Sequence, residues 1–481
     1  MYYLLYKTSI VFSDQSIDYT MHFLQTIGDC QRKSEQFEAS TKTYNTALEL
    51  VDSGDENSNY KIKGDIIHNK AESYRSLNNL AKAMECFKES LEMKQNRLDS
   101  AKQYSIALTL NSIGVCYEEL GEFQKALDEY YKAREHLKGA KADQDIKDLL
   151  SMLFNNEGIC HYELGLYEKA LEAYENDLAV RKEINASAED MAMTLGNIAN
   201  VLSAQGKHQE ALEKNNESLK KFREHYGQDA KTVGIAMSLN NIGREHFLLE
   251  KYSEAGKCFR EALSIKQSNY HSKNHPDTAH TLHVIGLNYR DQGDEIYKAK
   301  ENLQSAYNMI VQCDGYKDLK SEIMIDFSCF LIGQNKPEEA TKLLNEALDN
   351  FKERMKKFDE NATSPSLAEC FHMMGYTYRL LKNHSQAKMW LEKALEMRRI
   401  VFSDENQQPK NHSFIAQTLG ELGQNYNEQD DKKNAQKYLD DSIKMFKTQT
   451  GKGPRDLVSK VEKYLEDFHA KVFNFYWVSN E

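Results

Sequence analysis

Residues 110–133 read LNSIGVCYEELGEFQKALDEYYKA, and two later stretches of the chain repeat their pattern. Residues 195–218 read LGNIANVLSAQGKHQEALEKNNES, and residues 239–262 read LNNIGREHFLLEKYSEAGKCFREA. The shared features are L-x-x-I before a small residue, a second small residue twelve positions later, and generally a large residue four positions after that. A pattern that recurs at a fixed period predicts a repeat architecture.

The first small residue of this pattern occurs ten times, at intervals of 41–48 residues. The second small residue follows twelve positions later, except in the seventh unit, where it shifts by one residue to Ala299. This near-constant spacing predicts ten repeats over most of residues 20–446. The first small position holds Gly28, Ala71, Gly114, Gly158, Ala199, Gly243, Gly286, Ser328, Gly375 and Gly423. The second small position elsewhere holds Ser40, Ala83, Ala126, Ala170, Ala211, Ala255, Ala340, Ala387 and Ala435.

Each unit has the apolar spacing of two amphipathic helices, with apolar residues at i, i+3, i+4 and i+7. We interpret Gly114 and Ala126 of the third unit as points where two helix backbones approach, and Gly121 as the turn between the helices. A larger side chain at either approach point would be overpacked, at a cost of roughly 1–3 kcal/mol. The predicted apolar faces are Leu110, Ile113 and Tyr117 on the first helix, and Phe123, Ala126, Leu127, Tyr130 and Ala133 on the second.

The pattern resembles the tetratricopeptide repeat. The 42–44-residue spacing, LNNIG at 239–243, KYSEAGKCFREAL at 251–263 and NHPDTAHTLHVIG at 274–286 resemble its kinesin-light-chain-like branch, which also appears in nephrocystin-3-like proteins. This resemblance implies an all-α, right-handed superhelix of about ten helix pairs. It also implies a concave groove, lined by the first helices, that holds extended peptide segments.

The ends of the chain are predicted to flank the repeats with further helix. Residues 1–19 are expected to form a lead-in helix, and residues 20–446 the ten repeats. Residues 455–481 are expected to form a capping helix and an aromatic tail, because a stack of repeats needs an end piece over its last apolar face.

The composition and charge argue against several functional classes. The 23 glycines and five prolines are too few for a collagen-like or linker-dominated chain. The net charge of −12 argues against a broad nucleic-acid interface, and no apolar run approaches the roughly 20 residues that cross a bilayer. The eight cysteines are at least 16 residues apart, so we expect reduced thiols in a cytoplasmic protein.

No catalytic or cofactor motif is found. HExxH, GxxxxGK[ST], GxSxG and GxGxxG are absent, so we predict neither enzyme activity nor a cofactor. His280 and His283 are three residues apart, as metal ligands can be, but His271 and His275 beside them lie in a polar loop with no cysteine near. We therefore predict no metal site.

The predicted function is a non-catalytic scaffold or adaptor that binds peptide segments of partner proteins. Two alternatives from the same fold are a regulatory sensor that changes shape when a partner binds and a kinesin-light-chain-like cargo adaptor. An enzyme with a site between repeats is a further alternative, for which no residue pair can be chosen.

Two positions of each predicted first helix face the groove: two residues before the first small position and directly after it. Asparagine offers a donor and an acceptor to an extended backbone, and arginine can grip a carboxylate with two hydrogen bonds. The alternative for each is a solvated helix face or a bond between repeats. The candidates are Asn69, Asn197, Asn200, Asn241 and Arg244, with Arg290 and Arg379 further along the same helices.

The helix faces can be tested by substitution in the third unit. Ala126→Glu should lower the melting temperature by several degrees, because it places a charged side chain where two helices meet. Asp128→Ala and Glu118→Ala are expected to change it little. Equal melting curves for all three variants would show that the faces are misassigned.

Overall fold

The computed structural model describes residues 14–51, 60–95, 102–139, 143–270, 272, 274–293, 295–313, 315–356, 365–402 and 413–450. Within these ranges the chain forms twenty α-helices and no β-strand, so the all-α fold class is confirmed. The helices are joined in pairs by turns of three or four residues. We number these pairs as hairpins 1 to 10 and call their members first and second helices.

The bounds of the first helices are α1 (Asp14–Lys33), α3 (Tyr60–Ser76), α5 (Lys102–Glu119), α7 (Gln144–Glu163), α9 (Ala188–Ala204), α11 (Val233–Leu248), α13 (Pro276–Gln292), α15 (Lys317–Gly333), α17 (Pro365–Leu380) and α19 (Ser413–Asn427). The bounds of the second helices are α2 (Phe37–Val51), α4 (Leu80–Gln95), α6 (Phe123–Leu137), α8 (Tyr167–Glu183), α10 (His208–Tyr226), α12 (Tyr252–Asn269), α14 (Ile296–Ile310), α16 (Pro337–Met355), α18 (His384–Val401) and α20 (Lys432–Thr450).

The helices are grouped in two compact units, one ending at His161 and the other beginning at Tyr162, within α7. Apart from the pairs that include α7, each second helix packs against the first helix of its own hairpin and against the first helix of the next. Residues 14–19 of the predicted lead-in helix belong to α1. The rest of that helix and the predicted cap at 455–481 lie outside the described residues.

In six hairpins a large side chain of the second helix packs directly on the glycine at the first small position. A Cβ atom added to Gly28 would lie 2.5 Å from the ring of Tyr44, so no larger residue fits there without a shift. Four other hairpins repeat the contact at the same spacing. In hairpin 7 the large residue is shifted by one position, as predicted from the shift of Ala299. The further contacts are Gly114 with Tyr130, Gly243 with Phe259, Gly286 with Leu303, Gly375 with Leu391 and Gly423 with Leu439.

The turn between the two helices has the same backbone conformation in all ten hairpins. The residue seven positions after the first small residue has a positive φ, between 56° and 84°. Backbone hydrogen bonds close the turn: in hairpin 3 the Glu122 N–H donates to the Tyr117 carbonyl at 2.8 Å. Four of these positions are glycine, Gly121, Gly165, Gly206 and Gly293. The other six are Glu35, Asn78, Glu250, Asn335, Lys382 and Asp430.

Hairpin 5 departs from the apolar pattern. Asn215 takes the place that a tyrosine, phenylalanine or leucine has in other hairpins, sixteen residues after Ala199. Its side chain is fully buried, and neither amide atom has a hydrogen-bond partner among the described residues. Burying an unpaired amide costs free energy, so this hairpin lacks part of the stabilisation that the others have.

Buried polar groups also join neighbouring hairpins. In the first unit the Lys94 ammonium donates to the Thr109 hydroxyl at 3.0 Å, and the His68 ring lies 3.3 Å from the same hydroxyl. Burial lowers the pKa of His68 well below 6.5, and the charge of Lys94 lowers it further. The second unit repeats this arrangement with His372. Burial and the charge of Arg398 lower the pKa of His372 in the same way. Both histidines are therefore neutral in the folded protein.

One of the predictions for hairpin 3 has to be corrected. The buried Tyr130 hydroxyl donates a hydrogen bond to Glu118 at 3.0 Å, and Glu118→Ala would leave this hydroxyl without that partner. Glu118 is thus a poor neutral control. Asp128 is exposed, so Asp128→Ala remains the matched control for the fully buried Ala126.

Two further features of the described residues concern the cysteines and the apolar character of the helices. All eight cysteines lie among the described residues, and none is in a disulfide. In the described part of the chain, no helix has both the length and the apolar character required to cross a membrane.

The buried histidines predict a loss of stability in mild acid. The unfolded chain binds protons at the ordinary pKa of 6.5, whereas His372 in the folded protein stays neutral, so stability should fall as the pH drops below 6.5. His372→Gln removes this titration and should flatten that part of the curve. The measurement is the urea midpoint at several pH values from about 8 to about 5. Parallel curves for wild type and variant would contradict the assignment.

Candidate functional site

The first helices of each unit present one common side, which we call the first-helix face. It consists of the residues six before, two before and one after the first small position. These positions are spaced i, i+4 and i+7, so they lie on the same side of a helix. In α11 they are Met237, Asn241 and Arg244. The last two positions were predicted from the sequence to face the groove, and the first was not.

Asn69, the candidate in the first unit, joins two hairpins. Its amide donates to Asp29 at 2.9 Å, from α3 to α1. Asp29 also accepts a hydrogen bond from the Tyr44 hydroxyl at 2.6 Å. Burial, followed by this hydrogen bond, raises the pKa of Tyr44 above its usual value. The Asn69 amide is therefore held by the core of hairpin 1, with its side chain half-buried.

Asn200 and Arg244 are brought together in the second unit. The Arg244 guanidinium donates to the side-chain amide oxygen (Oδ1) of Asn200 at 2.9 Å and lies 3.3 Å from the Glu245 carboxylate. Glu245 is completely buried and also accepts from the Ser203 hydroxyl at 3.1 Å. The Arg244 side chain still has 44% of its surface exposed, so it is oriented and yet open to a ligand.

Asn197 and Asn241 occupy the position two before the small residue in α9 and α11. Both are half-buried, and they lie one helical turn from Asn200 and Arg244 on the same side of their helices. The four side chains thus form a polar patch on two adjacent first helices. Donors and acceptors of this kind can bind the backbone of an extended peptide.

Arg290 and Arg379 lie in ion pairs between hairpins. Arg379 is 1% exposed, and its guanidinium donates to Glu421 at 2.8 Å and to Glu428 at 2.5 Å. Arg290 pairs with Asp291 of its own helix at 2.6 Å and with Asp326 of the next hairpin at 4.0 Å, and its side chain keeps 26% of its surface exposed. Arg379 has little surface left for a ligand, whereas Arg290 has an open part.

The position that sequence reasoning missed carries the most open side chains of the face. Met193 and Met237 are 57% and 56% exposed. The equivalent residues of the next two first helices, His280 and Glu322, are exposed as well. Helical periodicity could have identified this position in the sequence, because it lies four residues before the position of Asn197 and Asn241 and on the same side of the helix.

Two exposed side chains of the face, His280 and Glu322, have pKa values shifted by their surroundings. His280 is exposed, yet burial lowers its pKa to about 4, with further lowering by the nearby charge of His283. Glu322 is likewise exposed, yet burial raises its pKa; the charge of His283 lowers it, and the neighbouring carboxylates Asp326 and Glu369 raise it. Partial dehydration of these two side chains is the main cause of both pKa shifts. Ligand charges beside them would be screened less than in bulk water.

The histidines do not form a metal centre in the part of the chain that is described. His283 is buried, and its Nε2 lies 2.9 Å from an Asp326 oxygen. Across the described ranges, no group of three or more His, Cys, Asp and Glu side chains is arranged to hold a metal ion. The contact with Asp326 links α13 to α15, which makes His283 part of the packing between hairpins.

Two sequence models of the tetratricopeptide repeat match the chain. One matches residues 64–139, 148–224 and 234–296, and the other matches residues 367–408. Together these ranges cover slightly more than half of the chain. The chain belongs to the tetratricopeptide-repeat family. The kinesin-light-chain-like branch stays a prediction, and no curated protein sequence matches the chain.

Several solved structures resemble this tetratricopeptide-repeat protein. Apo RapI has a TM-score of 0.54 and 16% identity, over 79% of this chain and 98% of its own. The apo quorum sensor NprR from B. thuringiensis has a TM-score of 0.48 and 16% identity, over 80% and 99%. BtubC (BKLC) from P. vanneervenii has a TM-score of 0.43 and 22% identity, over 49% and 93%. At these identities the likeness to RapI shows the fold alone.

The ion pairs of the face predict unequal effects of removing its arginines. Arg379→Ala should lower the free energy of unfolding by about 3 kcal/mol, because it leaves Glu421 and Glu428 without their buried partner. Arg244→Ala, at a more exposed site, should cost less than about 1 kcal/mol. Urea unfolding of both variants measures the difference. Equal losses would contradict the structural role of Arg379.

Proposed function

We propose that the protein is a non-catalytic interaction scaffold that binds extended peptide segments of partner proteins along its first-helix face. The observation that supports this proposal is the row of exposed side chains on the face in the second unit. Apolar and polar side chains are exposed together there, at one repeated position on successive helices. Repeat proteins bind partners along extended surfaces that successive repeats build together.

The side chains of the face suit a peptide ligand. The amides of Asn197, Asn200 and Asn241 can bond to the backbone of an extended segment, which offers donors and acceptors at regular spacing. The exposed part of Arg244 can bond to a carboxylate or a carbonyl group. The flexible thioethers of Met193 and Met237 can adapt to apolar side chains of different shape. The partner itself, the sensor alternative and the cargo-adaptor alternative stay predictions.

The proposal is tested by removing two side chains from the patch. Asn241→Ala combined with Arg244→Ala should weaken peptide binding about tenfold, a loss typical of two polar contacts at an interface. Binding is measured on an array of extended peptides drawn from proteins that the wild-type chain captures from its source cell.

The matched control is Asn345→Ala combined with Arg399→Ala, which removes the same residue types from exposed positions of second helices. Circular dichroism checks that both double variants keep their helicity. Unchanged binding by the first variant with intact helicity would remove the patch from the site, and a wild-type chain that binds no peptide would overturn the proposal.

A further inference from the structure

We propose that the first-helix face of the second unit selects an extended peptide with one apolar side chain and, about six residues away, a lysine or an arginine. This inference rests on the proposed function and specifies the chemistry of its ligand. It follows from how the exposed side chains change along one repeated position, the residue six before the first small residue.

The apolar end of the ligand site is formed by Met193 and Met237. They occupy this position in α9 and α11 and are more than half exposed, at 57% and 56%. Exposed apolar side chains at equivalent places on adjacent helices form a patch that a ligand can cover. Methionine packs against aliphatic and aromatic groups alike, so this end should accept leucine, methionine or phenylalanine.

The cationic end of the ligand site is formed by Glu322, which occupies the same position in α15. Glu322 makes no ion pair among the described residues. Burial raises the pKa of Glu322, the charge of His283 lowers it, and repulsion from the carboxylates of Asp326, Glu369 and Asp318 raises it. A ligand cation placed here would relieve this repulsion, whereas a ligand carboxylate would add to it.

The other carboxylates of this face already have basic partners. Asp326 lies 2.9 Å from His283, Glu421 accepts from Arg379 at 2.8 Å, and Glu369 is paired with Arg398. Among these carboxylates, Glu322 is the one that makes no ion pair with a described residue. The preference for a positively charged ligand side chain therefore centres on α15.

The distance between the two ends follows from helix packing. Met237 in α11 and Glu322 in α15 are two hairpins apart at the same repeat position. Helices in contact lie about 10 Å apart, which places these positions on the order of 20 Å from each other. An extended chain spans about 3.3 Å per residue, so about six residues separate the apolar and the cationic side chain of the ligand.

The test is an array of synthetic Gly/Ser peptides, each with one leucine and one lysine at separations from about two to about ten residues. Companion peptides replace the lysine by glutamate or by uncharged norleucine. We expect wild-type binding to be strongest near a separation of six. We also expect binding to weaken about tenfold with norleucine and further with glutamate, in line with one lost charge contact.

Substitutions in the protein assign these preferences to the two ends. Glu322→Gln should remove the advantage of lysine over norleucine, and Glu322→Lys should favour the glutamate peptide. Met237→Ser should weaken all leucine peptides. The matched controls are Glu301→Gln and Met389→Ser, exposed positions of second helices, and they should change nothing.

The outcomes separate this inference from the proposed function. If wild type binds peptides but shows no preference for lysine, or if Glu322→Gln and Glu301→Gln behave alike, the ligand chemistry proposed here is wrong and the scaffold function stands. If wild type binds no peptide in any arm, both are overturned. A lysine preference that Glu322→Lys reverses supports the inference.

Discussion

Six of the ten hairpins depend on one close contact, in which a large side chain of the second helix packs directly on a glycine of the first. A ring or a leucine side chain fills the space that a Cβ atom would take at Gly28, Gly243 or Gly375. Because this contact fixes the register of the two helices, it also fixes which residues of the first helix turn away from the core. The first-helix face is a consequence of this packing.

The neighbouring hairpins are joined by a polar contact that recurs in both units. A basic side chain near the end of a second helix reaches a threonine of the next first helix: Lys94 donates to Thr109, and Lys266 donates to Thr281 at 3.0 Å. These groups are buried, so a hairpin shifted by one residue would leave a charge without its partner. The contact therefore selects one alignment of adjacent hairpins, and with it the alignment of the face.

The sequence predicted the helices and their small and large positions well, because these depend on local spacing. It could not predict the burial of Arg379, whose partners Glu421 and Glu428 are 42 and 49 residues away. Glu322 was also missed, since in the sequence it is one acidic residue among many. Its lack of an ion-pair partner is set by side chains from neighbouring hairpins, and a single repeat does not contain that information.

The turns keep one backbone conformation with or without glycine. Backbone hydrogen bonds hold the same left-handed turn at Gly121 and at Glu250, although a residue with a Cβ atom is disfavoured there by roughly 1–2 kcal/mol. Glycine is thus helpful at this place but not obligatory. A hairpin can form without this glycine, so the glycine is not a dependable sequence marker of the repeat. Homology searches keyed to conserved letters will then find fewer units than the molecule contains.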